Sequence, residues 1–305
     1  MMNRAIITGA TGTVGTAIIQ ELIKKNVEVL VFCRSDSKRI SQIPQSPLVT
    51  IKSCSLDELA NIENDTQKKY DTFYHLAWEG TTGEARDNYY LQNKNVKYAL
   101  DAVQAAKRFG CERFIGVGSQ AEYGRVEGMI HPDTPTFPTM GYGIGKLSAG
   151  LFTRQAAHKV GLKHIWVRIL SIYGPNDGAQ NIITSTIKKL LAGEVPQLTK
   201  GDQMWDFLYN EDAAKAFALL GDKGIDSKTY VLGSGKVRRL REYIEDLRDI
   251  VSPKSDLAFG AIDYYPHQVM HLQADIKDLV QDTGWSPTVD FKEGVQKLLH
   301  WIQEK

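Results

Sequence analysis

The chain has little cysteine and no long apolar segment. Its three cysteines, Cys33, Cys54 and Cys111, are widely spaced in 305 residues, so they form neither a disulfide framework nor a cysteine-based zinc site. No apolar run approaches the roughly 20 residues that a membrane-spanning helix needs. The first residues, MMNRAIITGA, also contain no apolar stretch long enough for a signal peptide. We therefore expect a cytoplasmic protein with no membrane partner.

Neither sign of charge dominates the chain. The 37 lysines and arginines nearly balance the 36 aspartates and glutamates, which leaves a net charge of +1. This balance provides no basic footprint for nucleic acid. His267 and His271 are spaced as in a zinc-protease helix, but Gln268 stands where that chemistry needs a glutamate. We therefore expect neither a nucleic-acid partner nor a metal site.

Strand-like and helix-like segments alternate through the first half of the chain. Short β-branched or apolar runs predict strands at residues 4–8, 27–32, 72–78, 113–119 and 164–174. Apolar residues at helical spacing predict helices at residues 14–25, 95–110 and 141–159. This alternation is typical of an α/β fold with a Rossmann-like, doubly wound parallel sheet and helices on both faces.

The first turn carries three regularly spaced glycines. It reads TGATGTVG at residues 8–15, after a predicted strand and before a predicted helix, as a dinucleotide-binding turn requires. Gly9 permits the tight turn, Gly12 lets the backbone approach a pyrophosphate, and Gly15 lets the helix pack on the sheet. The N–H groups at the start of the helix would then face the phosphates. We expect NAD or NADP to bind here.

The end of the second strand bears on the choice between these two cofactors. An acidic residue there would accept a hydrogen bond from the ribose 2′-hydroxyl of NAD. In this chain Cys33 takes that place, and Arg34 and Ser35 follow. An arginine suits the 2′-phosphate of NADP by charge and by geometry. We favour NADP(H), and NAD(H) is the alternative because Asp36 is a competing acid later in the turn.

The segment YGIGK places Tyr142 and Lys146 four residues apart. On a helix, two side chains at this spacing lie on the same face. A lysine cation there can lower the pKa of the phenol, and such a tyrosine can exchange a proton with a substrate hydroxyl near neutral pH. The alternative interpretation is a solvated helix face without chemistry.

Taken in order, these segments resemble the extended short-chain dehydrogenase/reductase family of nucleotide-sugar epimerases, dehydratases and reductases. The resemblance runs over nearly the whole chain. The segments that carry it are TGATGTVG (8–15), HLAW (75–78), GVGSQAEYG (116–124), YGIGK (142–146), VRILSIYGP (167–175), MWDFLYNEDAAKAF (204–217), TYVLGSG (229–235) and ADIKDLVQDTGWSP (274–287).

The resemblance implies roles for individual residues. Tyr142 would be the general acid/base on a sugar hydroxyl or ketone, Lys146 would hold the nicotinamide ribose and lower the pKa of Tyr142, and Ser119 would hydrogen-bond the reacting oxygen. Further cofactor contacts would come from Thr11, Thr13, Val14, Leu56, Leu76, Ala77 and Asn95. The substrate would contact Ser119, Gln120, Tyr142 and Ser171, and the cleft would be lined by Trp78 and Trp205 unless these two only pack in the core or at its rim.

The resemblance also implies a domain organisation and an assembly. Residues 1–170 would form the NAD(P)-binding domain and residues 171–305 the substrate-binding domain, with a segment near 207–235 packing back on the first. The helices at 95–109 and 143–159 pair into a dimer interface in many relatives. We therefore expect a homodimer that acts on a nucleotide-linked sugar.

Departures from the family pattern narrow the reaction. Dehydratases carry an aspartate and a glutamate directly after the catalytic serine or threonine, where this chain has Gln120 and Ala121, and Glu122 comes one residue later. An asparagine of the 4-epimerases is replaced by Ser171, and an arginine by Trp205. We expect NADPH-linked reduction of a 4-keto deoxysugar nucleotide, in cell-surface polysaccharide biosynthesis. An NAD-dependent nucleotide-sugar 4-epimerase is the main alternative, and a non-catalytic cofactor-binding regulator is a third.

Overall fold

The computed structural model describes residues 1–178, 181–265 and 268–305. Its strands, in chain order, are β1 (Arg4–Thr8), β2 (Glu28–Cys33), β3 (Val49–Ser53), β4 (Thr72–His75), β5 (Arg113–Ser119), β6 (Met129–Ile130), β7 (Lys163–Ile169), β8 (Ser171–Tyr173), β9 (Gln197–Leu198), β10 (Met204–Trp205), β11 (Phe207–Tyr209), β12 (Thr229–Leu232), β13 (Arg238–Arg239), β14 (Ala258–Phe259) and β15 (Gln273–Ala274). Its α-helices are α1 (Thr13–Lys24), α2 (Tyr89–Arg108), α3 (Gly141–Lys159), α4 (Ile182–Leu191), α5 (Asn210–Lys223), α6 (Leu240–Val251), α7 (Lys277–Thr283) and α8 (Phe291–Gln303).

Seven strands form the central sheet in the order β12-β7-β5-β4-β1-β2-β3, and every neighbouring pair is parallel. This arrangement confirms the predicted doubly wound parallel sheet. The edge strand β3 was not predicted, because its side chains are half-buried or exposed and give no apolar run. The opposite edge strand, β12, comes from far along the chain and lies beside β7.

Helices cover both faces of this sheet. Helix α1 packs against α5 on one face, and α2 packs against α3 on the other. The alternating side chains of β1 show how the sheet feeds two cores, because Ile7 joins the core under α1 and α5 while Ile6 joins the core under α2. No helix in the described part of the chain is long and apolar enough to cross a bilayer.

Helix α3 lies close to the sheet because small residues make room for one large ring. A Cβ on Gly150 would come within 2.7 Å of the Trp166 ring, and a Cβ on Gly116 or Gly118 of β5 would also overlap that ring. Trp166, on β7, therefore fills the space that these glycines leave, with only 4% of its surface exposed. This packing fixes the depth of α3, the helix that carries Tyr142 and Lys146.

The predicted strand at residues 164–174 divides into two. Strand β7 stays in the central sheet, whereas β8 leaves it and pairs in parallel with β11. Beyond β8, helices α4, α6 and α8 surround a separate apolar core that includes Ile187, Ile244 and Leu298. The buried carboxylate of Asp206 ties this region together, because it accepts hydrogen bonds from the backbone N–H groups of residues 234, 235 and 274.

Candidate active site

The glycine turn between β1 and α1 has the geometry that its sequence predicts. Gly9 has a φ of +74°, and a Cβ there would come within 2.7 Å of the Ala77 backbone nitrogen. A Cβ on Gly15 would overlap the Gly9 carbonyl oxygen. A Cβ on Gly12 would meet only that same oxygen, at 3.8 Å, so this side of the turn is open. The open side can accept a phosphate close to the backbone.

The start of α1 leaves its N–H groups available for that phosphate. No side chain caps the helix at Gly12, and its first turn contains no acidic residue. The amide nitrogen of Asn210 holds Thr13 in place, 3.2 Å from both its hydroxyl and its carbonyl oxygen. The Val14 side chain belongs to the core, so only its backbone can face a ligand.

A cleft of about 220 Å³ opens beside this turn, at the carboxyl ends of β1 to β4. Five of the residues predicted to bind the cofactor lie along it, namely Gly9, Thr11, Arg34, Leu56 and Ala77. Trp78, predicted for the substrate, also lines this cleft. Ser35 is exposed and does not line it, while Ser37 does. Leu76 packs against the core under α1.

Arg34 is the cation that the end of β2 presents to the cleft. Its guanidinium lies 3.7 Å from the carboxylate of Asp36, and the two side chains are 61% and 79% exposed. Arg39, further along the turn, instead donates a hydrogen bond to the Asn176 carbonyl oxygen. A group with negative charge at the mouth of the cleft would therefore meet Arg34 first.

Thr8 lines the cleft, and the buried His75 holds its side chain in place. The hydroxyl of Thr8 and Nδ1 of His75 are hydrogen-bonded at 2.9 Å, and burial lowers the pKa of His75 to about 3, so its ring is neutral. Asn95, on α2, accepts a hydrogen bond from the Glu79 backbone nitrogen and donates one to the Glu79 carbonyl oxygen, both at 2.9 Å. Asn95 therefore supports the loop after β4 and does not itself reach the cleft.

Ser119 and Tyr142 meet at the end of β5. The Ser119 side chain favours the ionised form of the Tyr142 phenol, and its hydroxyl accepts a hydrogen bond from the Ala121 backbone nitrogen at 3.2 Å. Burial raises the pKa of Tyr142, while Ser119 and the nearby Arg86 act in the opposite direction. The half-buried Gln120 follows directly in the chain.

Lys146 is buried one turn below Tyr142. Its ammonium group donates to the Val117 carbonyl oxygen at 2.7 Å and lies 3.9 Å from the centre of the Trp78 ring. It lies 5.8 Å from the centre of the Tyr142 ring. Burial lowers the pKa of Lys146 to about 7, although Glu122 acts against this shift. The contact with Trp78 was not predicted, because spacing along one helix does not reveal neighbours from another loop.

The Glu122 carboxylate is bound by groups of β5 and β7. This fully buried carboxylate accepts hydrogen bonds from the Ser119 backbone nitrogen at 2.8 Å, from Nε1 of Trp166 at 3.1 Å and from Nε of Arg168 at 2.7 Å. Because one of these hydrogen bonds comes from the Ser119 backbone nitrogen, Glu122 anchors the turn that follows Ser119.

A second cavity of about 490 Å³ lies between α4 and the strands that follow it. The predicted substrate residues Ser171 and Trp205 both line it, and Nε1 of Trp205 donates to the Ser171 hydroxyl at 2.7 Å. The cavity also contains Lys189 and the buried Gln203, whose side-chain oxygen has no hydrogen-bond partner in the described residues. Motif comparison missed Gln203, because nothing in its local sequence marks it as facing a cavity.

No metal-binding site is found among the described residues. No group of three or more histidine, cysteine, aspartate or glutamate side chains is arranged to hold an ion there. Of the histidine pair in the sequence, His267 lies outside the described residues.

Comparison with known proteins identifies the family. The model of the NAD dependent epimerase/dehydratase family matches residues 5–233, so the chain belongs to that family. The resemblance to extended short-chain dehydrogenases/reductases is thereby confirmed.

Two curated relatives and one solved structure illustrate the range of activities. The dTDP-4-dehydro-6-deoxyglucose reductase of Escherichia coli is 26% identical over 99% of this chain and 98% of its own length. A trifunctional UDP-glucose 4,6-dehydratase/UDP-4-keto-6-deoxy-D-glucose 3,5-epimerase/UDP-4-keto-L-rhamnose-reductase of Arabidopsis thaliana is 26% identical over 98% of this chain, which spans only 47% of that enzyme. The UDP-glucuronic acid 4-epimerase of Bacillus cereus, solved with UDP-glucuronic acid and NAD, has a TM-score of 0.85 at 20% identity and 99% coverage of both chains.

Proposed function

We propose that this member of the family is an NADPH-linked reductase of a 4-keto deoxysugar nucleotide. The observation that carries the proposal is Arg34, which lines the cofactor cleft at the end of β2, next to Cys33 and with no acid in that place. A reductase consumes NADPH and releases NADP⁺ in each turnover. An epimerase must return the hydride that it removes, and a retained NAD serves that purpose.

The residues of the cleft suit this cofactor. The open side of Gly12 and the uncapped start of α1 suit the pyrophosphate. Arg34 and Ser37 suit a 2′-phosphate, because both present donors at the same rim of the cleft. We assign cofactor binding to residues 1–170 together with the segment near 207–235, since β12 joins the central sheet and α5 packs on α1.

Three side chains would carry the chemistry. Bound NADPH would supply the hydride that reduces the sugar C4, with two electrons. Tyr142 would donate its proton to the sugar O4 and recover one from solvent. Ser119 would hold O4 by a hydrogen bond, and Lys146 would bind the nicotinamide ribose. Their joint position at the carboxyl end of β5 supports this assignment over a cofactor-binding regulator without catalysis.

The surroundings of Glu122 argue against dehydration. Loss of water from the sugar needs an acid and a base that can reach the substrate. The acid nearest in sequence to Ser119 is Glu122, and its carboxylate is occupied by Ser119, Trp166 and Arg168. Gln120 and Ala121 cannot take its place, because neither side chain titrates.

The second cavity is suited to the nucleotide part of the substrate. Trp205 offers an aromatic surface, Gln203 an unpaired amide oxygen, and Lys189 a positive charge. Lys189 can therefore replace the arginine that relatives carry at the position of Trp205. We assign substrate binding to the rest of residues 171–305.

The rival proposal is an NAD-dependent 4-epimerase. Asp36 favours it, because its carboxylate lies 3.7 Å from Arg34 and, after a change of side-chain rotamer, could accept the ribose hydroxyls of NAD. The two proposals therefore differ in what Arg34 and Asp36 do.

The deciding experiment is calorimetry on protein stripped of nucleotide. We expect NADPH to bind at least tenfold more tightly than NADH, and Arg34→Ala to remove most of this preference. Lys38→Ala is the matched control, because Lys38 is an exposed cation of the same turn that does not line the cleft. Tight NADH binding that ignores Arg34→Ala would replace the reductase with the epimerase.

Turnover provides the second test. The protein is mixed with NADPH and dTDP-4-keto-6-deoxyglucose, and loss of absorbance at about 340 nm is followed. We expect oxidation of NADPH that stops in Tyr142→Phe, because that variant has no proton to donate. Interconversion of UDP-hexose epimers without net oxidation of NADPH would instead favour the epimerase.

We further propose a cytoplasmic homodimer that contributes to cell-surface polysaccharide biosynthesis. The outer faces of α2 and α3 support the dimer, since Tyr90, Leu151 and Phe152 are exposed there. Sedimentation of the full chain should give the mass of two copies, and Phe152→Glu should shift it towards one.

A further inference from the structure

The segment that follows Trp78 is docked on the start of the catalytic helix. A short 3₁₀ helix spans Gly83–Asp87. The Asp87 carboxylate accepts a hydrogen bond from the Gly141 backbone nitrogen at 2.8 Å, at the first residue of α3. Gln92 holds the same segment from α2, because its amide donates to the Ala85 carbonyl oxygen at 2.9 Å. Arg86 is therefore fixed beside Tyr142 by contacts on both sides of it.

The Arg86 guanidinium covers the Tyr142 ring. Its central carbon lies 4.5 Å from the ring centre, whereas the ammonium nitrogen of Lys146 lies 5.8 Å away. Lys146 also has two other partners, the Val117 carbonyl oxygen and the Trp78 ring. The guanidinium Nε is buried and has no hydrogen-bond partner in the described residues. Within the described residues, Arg86 is the cation closest to this ring.

Burial shifts the protonation of both Lys146 and Tyr142. Burial lowers the pKa of Lys146 to about 7 and raises the pKa of Tyr142 above its usual value near 10. Burial therefore disfavours the charged form of both groups, and a second cation beside the ring offsets part of this cost for Tyr142. A cation over an aromatic face is attracted more strongly when the ring carries negative charge.

The other charge that faces Tyr142 acts in the opposite sense. Glu122, in the short helix after β5, raises the pKa of Tyr142, and Arg86 lowers it. Asp87, at the end of the 3₁₀ helix, is also close, but its carboxylate accepts a hydrogen bond from the Gly141 nitrogen at the start of α3. Ser119 is neutral and contributes only a hydrogen bond.

We propose that Arg86 is a positioning residue of this site, and that its guanidinium, held 4.5 Å from the centre of the Tyr142 ring, acts together with Lys146 to stabilise the ionised form of Tyr142. This proposal rests on the role of Tyr142 given above as the proton donor. Lys146 would bind the ribose and act on the phenol from its own helix, and Arg86 adds a second positive charge from the loop after β4.

The test measures the ionisation of Tyr142 directly and needs no substrate. The full chain is labelled with ¹³Cζ-tyrosine, the Tyr142 signal is assigned with Tyr142→Phe, and its shift is followed as pH is raised. The variants are Arg86→Gln and Lys146→Met. Arg86→Lys is the conservative variant, and Lys107→Gln is the matched control because it removes one charge from an exposed position of α2.

We expect Arg86→Gln to raise the pKa of Tyr142 by about one unit, so that the ionised fraction at a fixed pH falls about tenfold. Arg86→Lys should restore most of the lost stabilisation, and Lys107→Gln should move the pKa of Tyr142 by less than about 0.3 units. Lys146→Met measures the contribution of the lysine separately, so that the effects of the two cations can be compared. No shift in Arg86→Gln, or a shift no larger than that of Lys107→Gln, would overturn the proposal. If Arg86→Gln does not fold, Arg86→Met provides the same comparison.

The outcome can be separated from that of the proposed function. Failure of the reductase assay leaves the titration of Tyr142 unaffected. In an active enzyme, Arg86→Gln should also move the pH profile of kcat to higher pH in the direction that needs ionised Tyr142, and a purely structural role would lower kcat equally at all pH values.

Discussion

The buried ion pair between Glu122 and Arg168 should be one of the most sensitive points of this protein. The two side chains are 0% and 9% exposed and lie 2.7 Å apart. The Glu122 carboxylate also accepts hydrogen bonds from Nε1 of Trp166 and from the Ser119 backbone nitrogen. Glu122→Gln removes the charge and keeps the size of the side chain, so the effect is one of electrostatics and hydrogen bonding.

The expected loss of stability follows from the charge that stays buried without a partner. Removing one partner of a buried ion pair costs about 3–5 kcal/mol, because the other charge stays buried without compensation. A glutamine can still accept a hydrogen bond from the Ser119 backbone nitrogen. Its NH₂ group then points at Trp166 or Arg168, whose facing groups are also hydrogen-bond donors. Arg168 retains the hydrogen bond from Nη1 to the Pro132 carbonyl oxygen at 3.3 Å and its place over the Tyr123 ring, 4.5 Å from the ring centre. We therefore expect a loss of about 3 kcal/mol in the free energy of unfolding.

Urea denaturation of the variants measures this loss. Glu122→Gln and Arg168→Met should each cost about 3 kcal/mol, and the double variant should cost clearly less than their sum because neither charge is then unpaired. Lys97→Met is the control, since Lys97 forms an exposed pair with Asp101 that should contribute less than about 1 kcal/mol. Additive costs in the double variant, or a cost below about 1 kcal/mol for Glu122→Gln, would refute this reasoning.

Two further predictions concern the glycine turn and the buried histidines. Gly12→Ala should leave the urea midpoint of unfolding nearly unchanged and weaken cofactor binding about tenfold or more, as measured by calorimetry. Gly15→Ala should lower the urea midpoint itself. The two variants differ because a Cβ at position 15 overlaps the Gly9 carbonyl oxygen, whereas one at position 12 does not. Burial lowers the pKa values of His75 and His164 to about 3, so both histidines bind protons near pH 6.5 only after unfolding. The free energy of unfolding should therefore fall by about 1.4 kcal/mol per pH unit for each histidine as the pH drops from about 6.5 towards 3. Ring signals of these histidines that titrate between pH 5 and 8 in the folded protein would contradict the second prediction.

The parts of the fold that depend on local pattern could be predicted from the sequence. Strand β5 and helix α3 begin and end at the predicted residues, because apolar runs and turn glycines mark both. Helix α2 begins six residues before its predicted start, where the side chain of Asn88 caps it. The departure of β8 from the central sheet could not be predicted, because residues 164–174 form one unbroken strand-like run and only the pairing with β11 divides it.

The site shows the same division between local and long-range information. Gly9, Gly12 and Gly15 could be assigned from their spacing, because each acts through its own backbone. The surroundings of Lys146 could not, because Trp78 lies 68 positions earlier and is brought there by the loop after β4. Arg86 was missed for the same reason, since no motif marks an arginine that acts across a gap between two loops.

The charges around Tyr142 connect the stability of the fold to the chemistry of the site. Glu122 anchors the turn after Ser119 and raises the pKa of Tyr142, and Arg86 lowers it from the opposite loop. If Glu122 were free to contact the substrate, it could not also neutralise Arg168 in the sheet, and the turn that presents Ser119 would lose its anchor. Under the proposed function, in which Tyr142 donates a proton, this buried structural carboxylate suits hydride transfer and leaves the turn after Ser119 without an acid for loss of water. This coupling is a stronger argument against dehydration than the sequence departure alone, because it ties the missing acid to the packing of β5, β7 and α3.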